Sequence, residues 1–419
     1  MAEAVVTETT LREDQLRALI TAFRLVSVSL DQTEVLRGIL KAAKKLIDYD
    51  AAAIFVFDPT TKTLRGQESI GYDIDMSEPT ICCSEKGIIG RVMETGVGEV
   101  VPDVSVDPDY IRARATTQSE LAAPIIGSGD RTIGVINLES DRLQAYERLD
   151  LQLLKMFASM VAVAIEKAEL HKELMEKRRL EYELTVASQL VEMLMPHRPP
   201  EVKNFDICGR SIPSAAVGGD YFDFIDAGDG RWGLVIADVS GKGIPAALMM
   251  ATFRAYLHAM ISNDFSLRGV FSRLNRLMLK TTEGRHFVTA FFARFDPDER
   301  RCFYINAGHN PPLLIRAGEP VKPVPRSGLP LGLFEDVLHS EDLLTFQPGD
   351  TLILYTDGVT DATNGQGQMF GLARLISLVS QQTDPEAPRL CERIIEEVKA
   401  FSAPESPSDD LTVVVIRAV

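Results

Sequence analysis

Apolar residues recur at helical spacing near the start of the chain and then change to short strand-like runs. From residue 16 to residue 30 they predict an amphipathic first helix, preceded by the capping box of Thr10 and Glu13. Asp31 and Glu34 predict the start of a second helix, which is followed by strand-like residues 53–57. Further short strands and turns continue to residue 138. This mixture predicts an α+β first domain whose sheet is covered by helices.

A long helical pattern separates the two halves of the chain. We predict one helix over residues 147–195, which Pro196 ends. Residues 157–165 are small and apolar, as in a helix packed on a sheet, whereas residues 166–179 are mostly charged. The last part carries a short heptad seam of Leu180, Leu184, Ala187, Val191 and Leu194. Two interpretations stay open, namely a dimeric helical connector and a surface helix that packs on its own domain.

The second half alternates strands of five to seven residues with hairpin turns. Helical patterns interrupt the strands at residues 245–260, 267–280 and 387–401. The sequence therefore predicts a second, sheet-rich α+β domain.

Charge and composition narrow the classes of partner. The 419 residues carry a formal net charge of −16, which argues against nucleic acid or an anionic membrane as the main partner. The five cysteines show no zinc-binding spacing, and a reduced, cytoplasmic setting is expected. Neither a signal peptide nor a membrane-spanning run is predicted.

Four aspartates beside glycines or other acids stand in turn-rich stretches of the second half. They are Asp220, Asp238, Asp357 and Asp409. Several of them adjoin apolar runs, so we expect each carboxylate at the end of a buried strand. Magnesium and manganese prefer such oxygen ligands, and two such cations can activate water toward a phosphoryl group. Asp238 follows the most buried-looking strand and is the best candidate to bridge two cations.

Each of these residues also has an ordinary interpretation. A single Asp-Gly pair is more often a turn than a metal ligand, and only the set of four favours a metal site. Residues 218–222 resemble a diguanylate cyclase signature, but Tyr221 stands where that signature has an acid. His309 is interpreted as a turn histidine rather than a general acid or a metal ligand, and Ser240 has no partners for nucleophilic chemistry.

Residues 205–419 resemble the SpoIIE-like branch of the PPM metal-dependent serine/threonine protein phosphatases. The resemblance lies in the motifs at residues 217–223, 237–243, 306–311, 355–361 and 409–412. It implies two antiparallel sheets sandwiched between helices, and two Mn²⁺ or Mg²⁺ ions. By position, Asp238 and Asp220 would be the catalytic carboxylates. The implied metal ligands are Asp220, Asp238, the Val239 carbonyl, Asp357 and Asp409. Asp361 and Asp410 are implied to contact these ligands without binding the metal ions directly.

The sequence departs from the wider PPM superfamily at one position. Eukaryotic members carry a phosphate-gripping arginine shortly before the first metal aspartate, where this chain has Ala215 and Ala216. The nearest arginine is Arg210. The resemblance therefore implies that the cations and a protein partner hold the phosphate, and that small phosphoesters are poor substrates.

Residues 31–168 resemble a GAF domain, a sensor fold with an antiparallel sheet flanked by helices. The matching stretches are residues 87–96, 101–104, 123–126 and 133–140. These stretches are motifs of the fold, and they do not identify a ligand of the domain. Cys82 and Cys83 are interpreted as packing residues rather than as a redox or binding site.

The sequence thus predicts a sensor-controlled phosphatase of four parts. They are an amphipathic helix (1–30), a GAF domain (31–168), a helical connector (169–200) and a PPM domain (201–419). The expected substrate is a phosphorylated anti-sigma-factor antagonist, and the expected assembly is a homodimer through the connector. An unknown ligand or regulatory protein would act on the sensor. The alternative is a catalytically silent module that senses a ligand and docks a partner.

Overall fold

The computed structural model describes residues 13–72, 79–82, 87–228, 230–261, 266–381, 386–404 and 407–419. The chain divides into two compact units, Met1–Arg178 and Arg179–Val419. Within the described residues, no helix is both long and apolar enough to cross a membrane.

The first unit contains one six-stranded antiparallel sheet and helices on both of its faces. The helices are α1 (Glu13–Val28), α2 (Gln32–Lys44), α3 (Ile88–Thr95) and the beginning of α4 (Arg148–Glu192). The strands are β1 (Ala51–Asp58), β2 (Thr63–Ile70), β3 (Pro79–Cys82), β4 (Glu99–Val101), β5 (Ser119–Ile126) and β6 (Thr132–Ser140). They are ordered β3-β2-β1-β6-β5-β4.

The two faces of this sheet have different partners. Apolar side chains of α1, α2 and α4 form the main core with one face, to which Ile54, Leu121 and Ile136 contribute. On the other face, α3 packs Ile88 and Val92 against Ala122 and Val135. The antiparallel sheet flanked by helices confirms the predicted fold of the first domain.

The helix boundaries follow from capping side chains and prolines. Asp31 caps α2 by accepting a 3.0 Å hydrogen bond from the Glu34 amide. The Thr10 half of the predicted first capping box lies outside the described residues. Helix α4 begins and ends close to the predicted limits of 147 and 195. Its last turn tightens before Pro196, because the Leu194 amide bonds to the Val191 carbonyl rather than one residue further back.

The second unit contains two five-stranded antiparallel sheets. Its strands are β7 (Phe205–Ile212), β8 (Tyr221–Asp226), β9 (Trp232–Val239), β10 (Val288–Asp296), β11 (Arg301–Ala307), β12 (Leu313–Ile315), β13 (Lys322–Pro323), β14 (Asp342–Thr345), β15 (Thr351–Tyr355) and β16 (Leu411–Ala418). The first sheet has the order β14-β11-β10-β9-β8 and the second β13-β12-β15-β16-β7. Its helices are α5 (Ile244–Met260), α6 (Leu267–Thr282), α7 (Asp357–Asp361), α8 (Gly371–Ser380) and α9 (Ala387–Ser402).

These sheets stack face to face and carry helices on their outer faces. Phe222, Ile236 and Phe291 of one sheet share a buried cluster with Leu354 and Val414 of the other. Helices α5 and α6 cover the first sheet, and α8 and α9 cover the second. This α/β/β/α sandwich confirms the fold class predicted for the second half.

Candidate metal centre

The four predicted metal aspartates stand at strand ends that meet at one edge of the sandwich. Asp220 precedes β8 and Asp238 is the penultimate residue of β9, and these strands pair with Tyr221 opposite Ala237. Asp357 follows β15 and Asp409 precedes β16, and these strands pair with Tyr355 opposite Val413. In an antiparallel pair, the end of one strand adjoins the start of the next. Each sheet therefore brings two of the acids together.

Asp220 joins the two pairs across the sandwich. Its Oδ2 accepts hydrogen bonds of 2.7 Å from Thr356 and 2.6 Å from Thr412, both on the second sheet. The side chain is 4% exposed. Burial and the nearby Asp238 charge raise the pKa of Asp220 well above its usual range, although the two threonines oppose this shift. Asp220, which adjoins the first sheet, is thus held by side chains of the second sheet.

Asp238 lies among the other carboxylates. Burial, followed by the charges of Asp357, Asp409 and Asp410, raises its pKa to about 7. Burial and the charge of Asp409 also raise the pKa of Asp357. Because like charges raise one another's pKa only at short range, these side chains share one cleft.

Lys242 supplies a positive charge at this cleft. Its Nζ lies 2.9 Å from Asp409 Oδ2 and donates a 2.8 Å hydrogen bond to the Ser408 carbonyl. Lys242 also opposes the rise in the pKa of Asp238. Sequence reasoning placed Lys242 in the motif at residues 237–243 but missed this contact.

Asp410 holds the loop that leads to Asp220. Its Oδ1 accepts a hydrogen bond from the Ser214 amide at 2.8 Å, and its Oδ2 accepts one from the Gly219 amide at 2.9 Å. Asp361 lies at the exposed end of α7, and its charge adds to the rise in the pKa of Asp357. Both acids border the cleft, and Asp410 has a clear structural role there.

Close backbone approaches explain three of the glycines. A Cβ on Gly218 would lie 2.1 Å from Asp410 Oδ2, and one on Gly358 would lie 2.1 Å from the Asp410 carbonyl oxygen. A Cβ on Gly219 would lie 2.9 Å from the Val239 carbonyl oxygen, the predicted backbone ligand. Gly241 and Gly243 have φ of +102° and +72°, which allows the turn into α5.

The oxygen donors at this edge are of the chemical type that binds a hard divalent cation, but their arrangement is not that of a coordination sphere. Among the described residues, no group of three or more histidine, cysteine or acidic side chains is arranged to hold a metal ion. Asp220 Oδ2 bonds to two threonines and Asp409 turns to Lys242. Carboxylate and carbonyl oxygens are nevertheless the donors that Mg²⁺ and Mn²⁺ prefer, and here they crowd one another. Cation binding would therefore require Asp409 to turn from Lys242, whereas the two threonines engage only Oδ2 of Asp220.

His309 is buried and neutral behind this edge. It is 2% exposed, and burial and Arg326 lower its pKa to about 3. Its Nδ1 lies 3.0 Å from Thr289 Oγ1, and Thr289 pairs with Asp238 across β9 and β10. A histidine that remains neutral to such a low pH is unsuited to act as a general acid.

A cavity of about 470 Å³ adjoins Asp220 and Asp410. Arg210 and Ser211 line one side, the last turn of α4 contributes Val191, and the turn after α4 contributes Met195. Val191, Leu194 and Met195 also pack on the core beneath α5 and α6. The lower part of the predicted heptad seam is therefore in contact with its own domain.

The hydroxyl groups around Asp220 are the other residues that sequence reasoning missed. Thr356 and Thr412 stand inside the quoted motifs, one residue before Asp357 and two after Asp410. The available signal in the sequence was a threonine close to an aspartate that is a predicted metal ligand. Only the strand pairing shows that both hydroxyls converge on Asp220.

Comparison with known proteins agrees with both halves of this structure. Residues 29–166 match the GAF domain family, and residues 228–419 match the family described as Stage II sporulation protein E (SpoIIE). The second match begins after Asp220, which directly precedes β8 of the first sheet in the same unit.

Two curated relatives and one solved structure illustrate the similarity. Phosphoserine phosphatase RsbU of Bacillus subtilis is 25% identical over 242 residues, which cover 58% of this chain and 71% of RsbU. Phosphoserine phosphatase RsbP of the same organism is 28% identical over 201 residues, covering 47% of this chain and 48% of RsbP. The chain thus spans about half the length of RsbP. The SiaA-PP2C domain of Pseudomonas aeruginosa shares the fold with a TM-score of 0.51 at 20% identity, covering 58% of this chain and 98% of that domain.

The fold and the family matches together define the class as a GAF domain followed by a PPM-type phosphatase domain. More narrowly, residues 228–419 match the SpoIIE family, as the motifs predicted.

Proposed function

We propose that this protein is a metal-dependent phosphatase that removes phosphate from phosphoserine or phosphothreonine on a protein. The observation that carries the proposal is the meeting of four aspartates from four strand ends at one edge of the sandwich. The similarity to two phosphoserine phosphatases supports it.

The proposed ligands are Asp238, Asp220, Asp357, Asp409 and the Val239 carbonyl oxygen. Bound divalent cations would lower the pKa of a water molecule and neutralise the phosphoryl oxygens. Asp410 holds the loop before Asp220, so it fixes where that carboxylate lies. Thr356 and Thr412 hold the carboxylate itself. These groups orient the site and do not touch the substrate in this proposal.

We propose a protein rather than a small phosphoester as substrate. Arg210 is exposed on β7 beside the cavity, and the loop from Ser214 to Gly219 contains no basic residue. A small phosphoester would gain little binding energy beyond the cations, whereas a protein can add contacts over a wide surface. The family resemblance favours a phosphorylated anti-sigma-factor antagonist.

We further propose that the GAF domain regulates the site through α4. The end of α4 lines the cavity beside Asp220, so a change in its packing would reach the loop that Asp410 holds. Leu170, Leu174 and Leu180 are 50–64% exposed and would supply the dimer contact of the connector. A cytoplasmic setting, and the exclusion of nucleic acid and membrane, remain predictions from composition.

Phosphate release from a phosphoserine-containing antagonist protein with Mn²⁺ tests this proposal. The full chain should be active, and both a chelator and Asp238→Ala should abolish the activity. Asp226→Ala, in an exposed residue at the far end of β8, is the matched control and should be unaffected. Activity that survives the chelator or Asp238→Ala would contradict the proposal. Tight binding of the phosphoprotein without hydrolysis would instead support the silent docking module.

A further inference from the structure

His309 contacts strands of both sheets behind the edge that carries the four aspartates. Strand pairing fixes the acids within each sheet, but in the described part of the chain no strand pairing joins the first sheet to the second. The distance between Asp238 on the first sheet and Asp357 on the second therefore depends on side chains that reach across the sandwich. Asp220 does so through two threonines, and His309 is the second side chain of this kind.

The contact of His309 with the first sheet is made through Thr289. His309 Nδ1 lies 3.0 Å from Thr289 Oγ1. Thr289 stands directly opposite Asp238 in the pairing of β10 with β9, and its hydroxyl donates a long bond of 3.5 Å to the Asp238 carbonyl. A single threonine side chain therefore separates the imidazole ring from the backbone of a proposed metal ligand.

The contact with the second sheet is made at Tyr355. Burial and then Arg326 lower the pKa of His309, whereas the Tyr355 carbonyl opposes this fall, so that carbonyl lies close to the ring. Tyr355 is the last residue of β15, and Asp357 follows it by two residues. Among the described residues, His309 Nε2 has no hydrogen-bond partner, so the contact with Tyr355 is looser than that with Thr289.

The backbone around His309 is fixed from several sides. Its amide donates a 2.8 Å hydrogen bond to Asn306 Oδ1, and its carbonyl accepts one of 3.1 Å from Arg326 Nε. Gly308 has a φ of +74°, and a Cβ there would lie 2.7 Å from side-chain atoms of Pro330. A buried ring on a backbone held in this way has little freedom to move, so it can act as a fixed spacer between the sheets.

We infer that His309 is a positioning residue that sets the spacing of the metal ligands on the two sheets. It acts through Thr289 on the side of Asp238 and through Tyr355 on the side of Asp357. A site for two cations that share one carboxylate tolerates only a narrow range of ligand positions, so loss of this spacer should weaken binding of the second cation. The inference rests on the proposed function, because it assumes that these aspartates bind metal.

Titration of the chelator-stripped full chain with Mn²⁺, followed by electron paramagnetic resonance, tests the inference without measuring activity. Two Mn²⁺ ions that share a ligand are magnetically coupled, and their spectrum differs from that of separate ions. Thr289→Val removes the hydroxyl but keeps the shape of the side chain, and His309→Asn is too short to span from Thr289 to Tyr355. In each variant the second Mn²⁺ should bind at least about fivefold more weakly, the scale of one lost hydrogen bond, and the coupled signal should fall. Thr289→Ser restores the hydroxyl and should restore both.

His339→Asn is the matched control. His339 is also a buried histidine of this domain, and its Nε2 lies 2.9 Å from the Leu329 carbonyl while its ring packs edge-on against Phe271. This variant should lower the melting temperature and leave Mn²⁺ affinity and coupling unchanged. The same outcome in Thr289→Val and His309→Asn would overturn the inference and make His309 an ordinary residue of the core.

The unaltered protein separates this outcome from a failure of the proposed function. If the unaltered chain shows no coupled pair of Mn²⁺ ions, the proposed two-metal site is wrong and the inference falls with it. If the unaltered chain and both variants show the pair equally, only the inference is wrong. Thr289→Val replaces one hydroxyl by a methyl group in a half-buried side chain, so it decides the question even if His309→Asn fails to fold.

Discussion

Both domains crowd carboxylates on an antiparallel sheet, but they place them differently. In the phosphatase domain, Asp220, Asp238 and Asp409 stand at strand ends, beside glycine turns and Lys242. In the GAF domain, Glu120 and Glu139 stand inside paired strands beneath a helix. Strand ends leave the backbone free to turn carbonyl oxygens toward an ion, whereas paired strands present only side chains. The first arrangement suits metal ions, whereas in the second, burial and then the charge of Glu139 raise the pKa of Glu120 to about 8.

The largest expected effect is a loss of phosphatase activity in a variant of the aspartate cluster, without a comparable loss in a variant of the glutamate pair. Asp238→Asn should lower phosphatase activity at least about 1000-fold, the scale seen when a key electrostatic group is lost. Its thermal stability in chelator should stay equal or rise, because one of several repelling charges is removed. Glu120→Gln should leave basal activity within about threefold. Phosphate release and thermal melting of both variants make the comparison.

Similar activity losses in these two variants would contradict the distinction between the clusters. Asp226→Asn serves as the control for an exposed acid of the same sheet.

A second prediction concerns the support behind the metal edge. Asp410→Ala removes the acceptor of the Ser214 and Gly219 amides, so we expect unfolding free energy to fall by roughly 2–4 kcal/mol. Activity should also fall at least about tenfold, because the loop before Asp220 loses its anchor. Denaturant unfolding and kinetics at saturating Mn²⁺ measure the two effects. Full activity with reduced stability would show that Asp410 supports only the fold.

The third prediction uses pH to test the GAF cluster. Glu120 has a pKa of about 8 in the folded protein, owing to burial and then Glu139, with smaller effects of Asn137, Asp107 and Arg91. The unfolded chain loses that proton near pH 4.5. The folded state therefore holds an extra proton between these values, and stability should fall as pH rises through this window. The loss should reach roughly 2–4 kcal/mol.

Thermal unfolding at pH 5.5 and pH 8.5 checks this, with Glu120→Gln and, as a control in an exposed acid on α3, Glu94→Gln beside the unaltered protein. Glu120→Gln should remove much of the pH dependence and stabilise the protein at the higher pH. A pH dependence identical in all three proteins would contradict the prediction.

The smallest expected effect is at Lys242. Its ion pair with Asp409 is largely exposed and is worth at most about 1 kcal/mol. Lys242→Gln would free Asp409, so half-maximal activity should need up to about fivefold less Mn²⁺. Titrating activity against Mn²⁺ measures this. A higher Mn²⁺ requirement would show that Lys242 assists the site instead of competing with the cation.

Sequence patterns predicted the architecture well because its signals are local. Helix α4 lies within three residues of its predicted limits, since Pro196 and the change in apolar spacing are visible in the chain. The motif aspartates were visible for the same reason. Their partners were not, because Thr356 and Thr412 reach Asp220 only through pairing of distant strands.

The GAF cluster shows the limit of motif reasoning most clearly. Glu120 and Glu139 are separated by a hairpin, and each looks like an ordinary polar residue of a strand. Only the register of β5 and β6 places them opposite each other, and only burial makes their charges costly. The connector seam had a similar limit, because Val191 and Leu194 pack on their own domain, a contact that heptad spacing cannot distinguish from pairing.

A crystal structure of the full chain with Mn²⁺, using the anomalous signal of manganese, tests the central claim most directly. We predict two peaks at the edge where Asp238, Asp357 and Asp409 meet, with Asp238 contacting both ions and Asp409 turned away from Lys242. The metal–oxygen distances should be slightly longer than the 2.0–2.1 Å typical of Mg²⁺ sites, because Mn²⁺ is the larger ion. Manganese bound elsewhere, or no peak at this edge in crystals of an active preparation, would contradict the account.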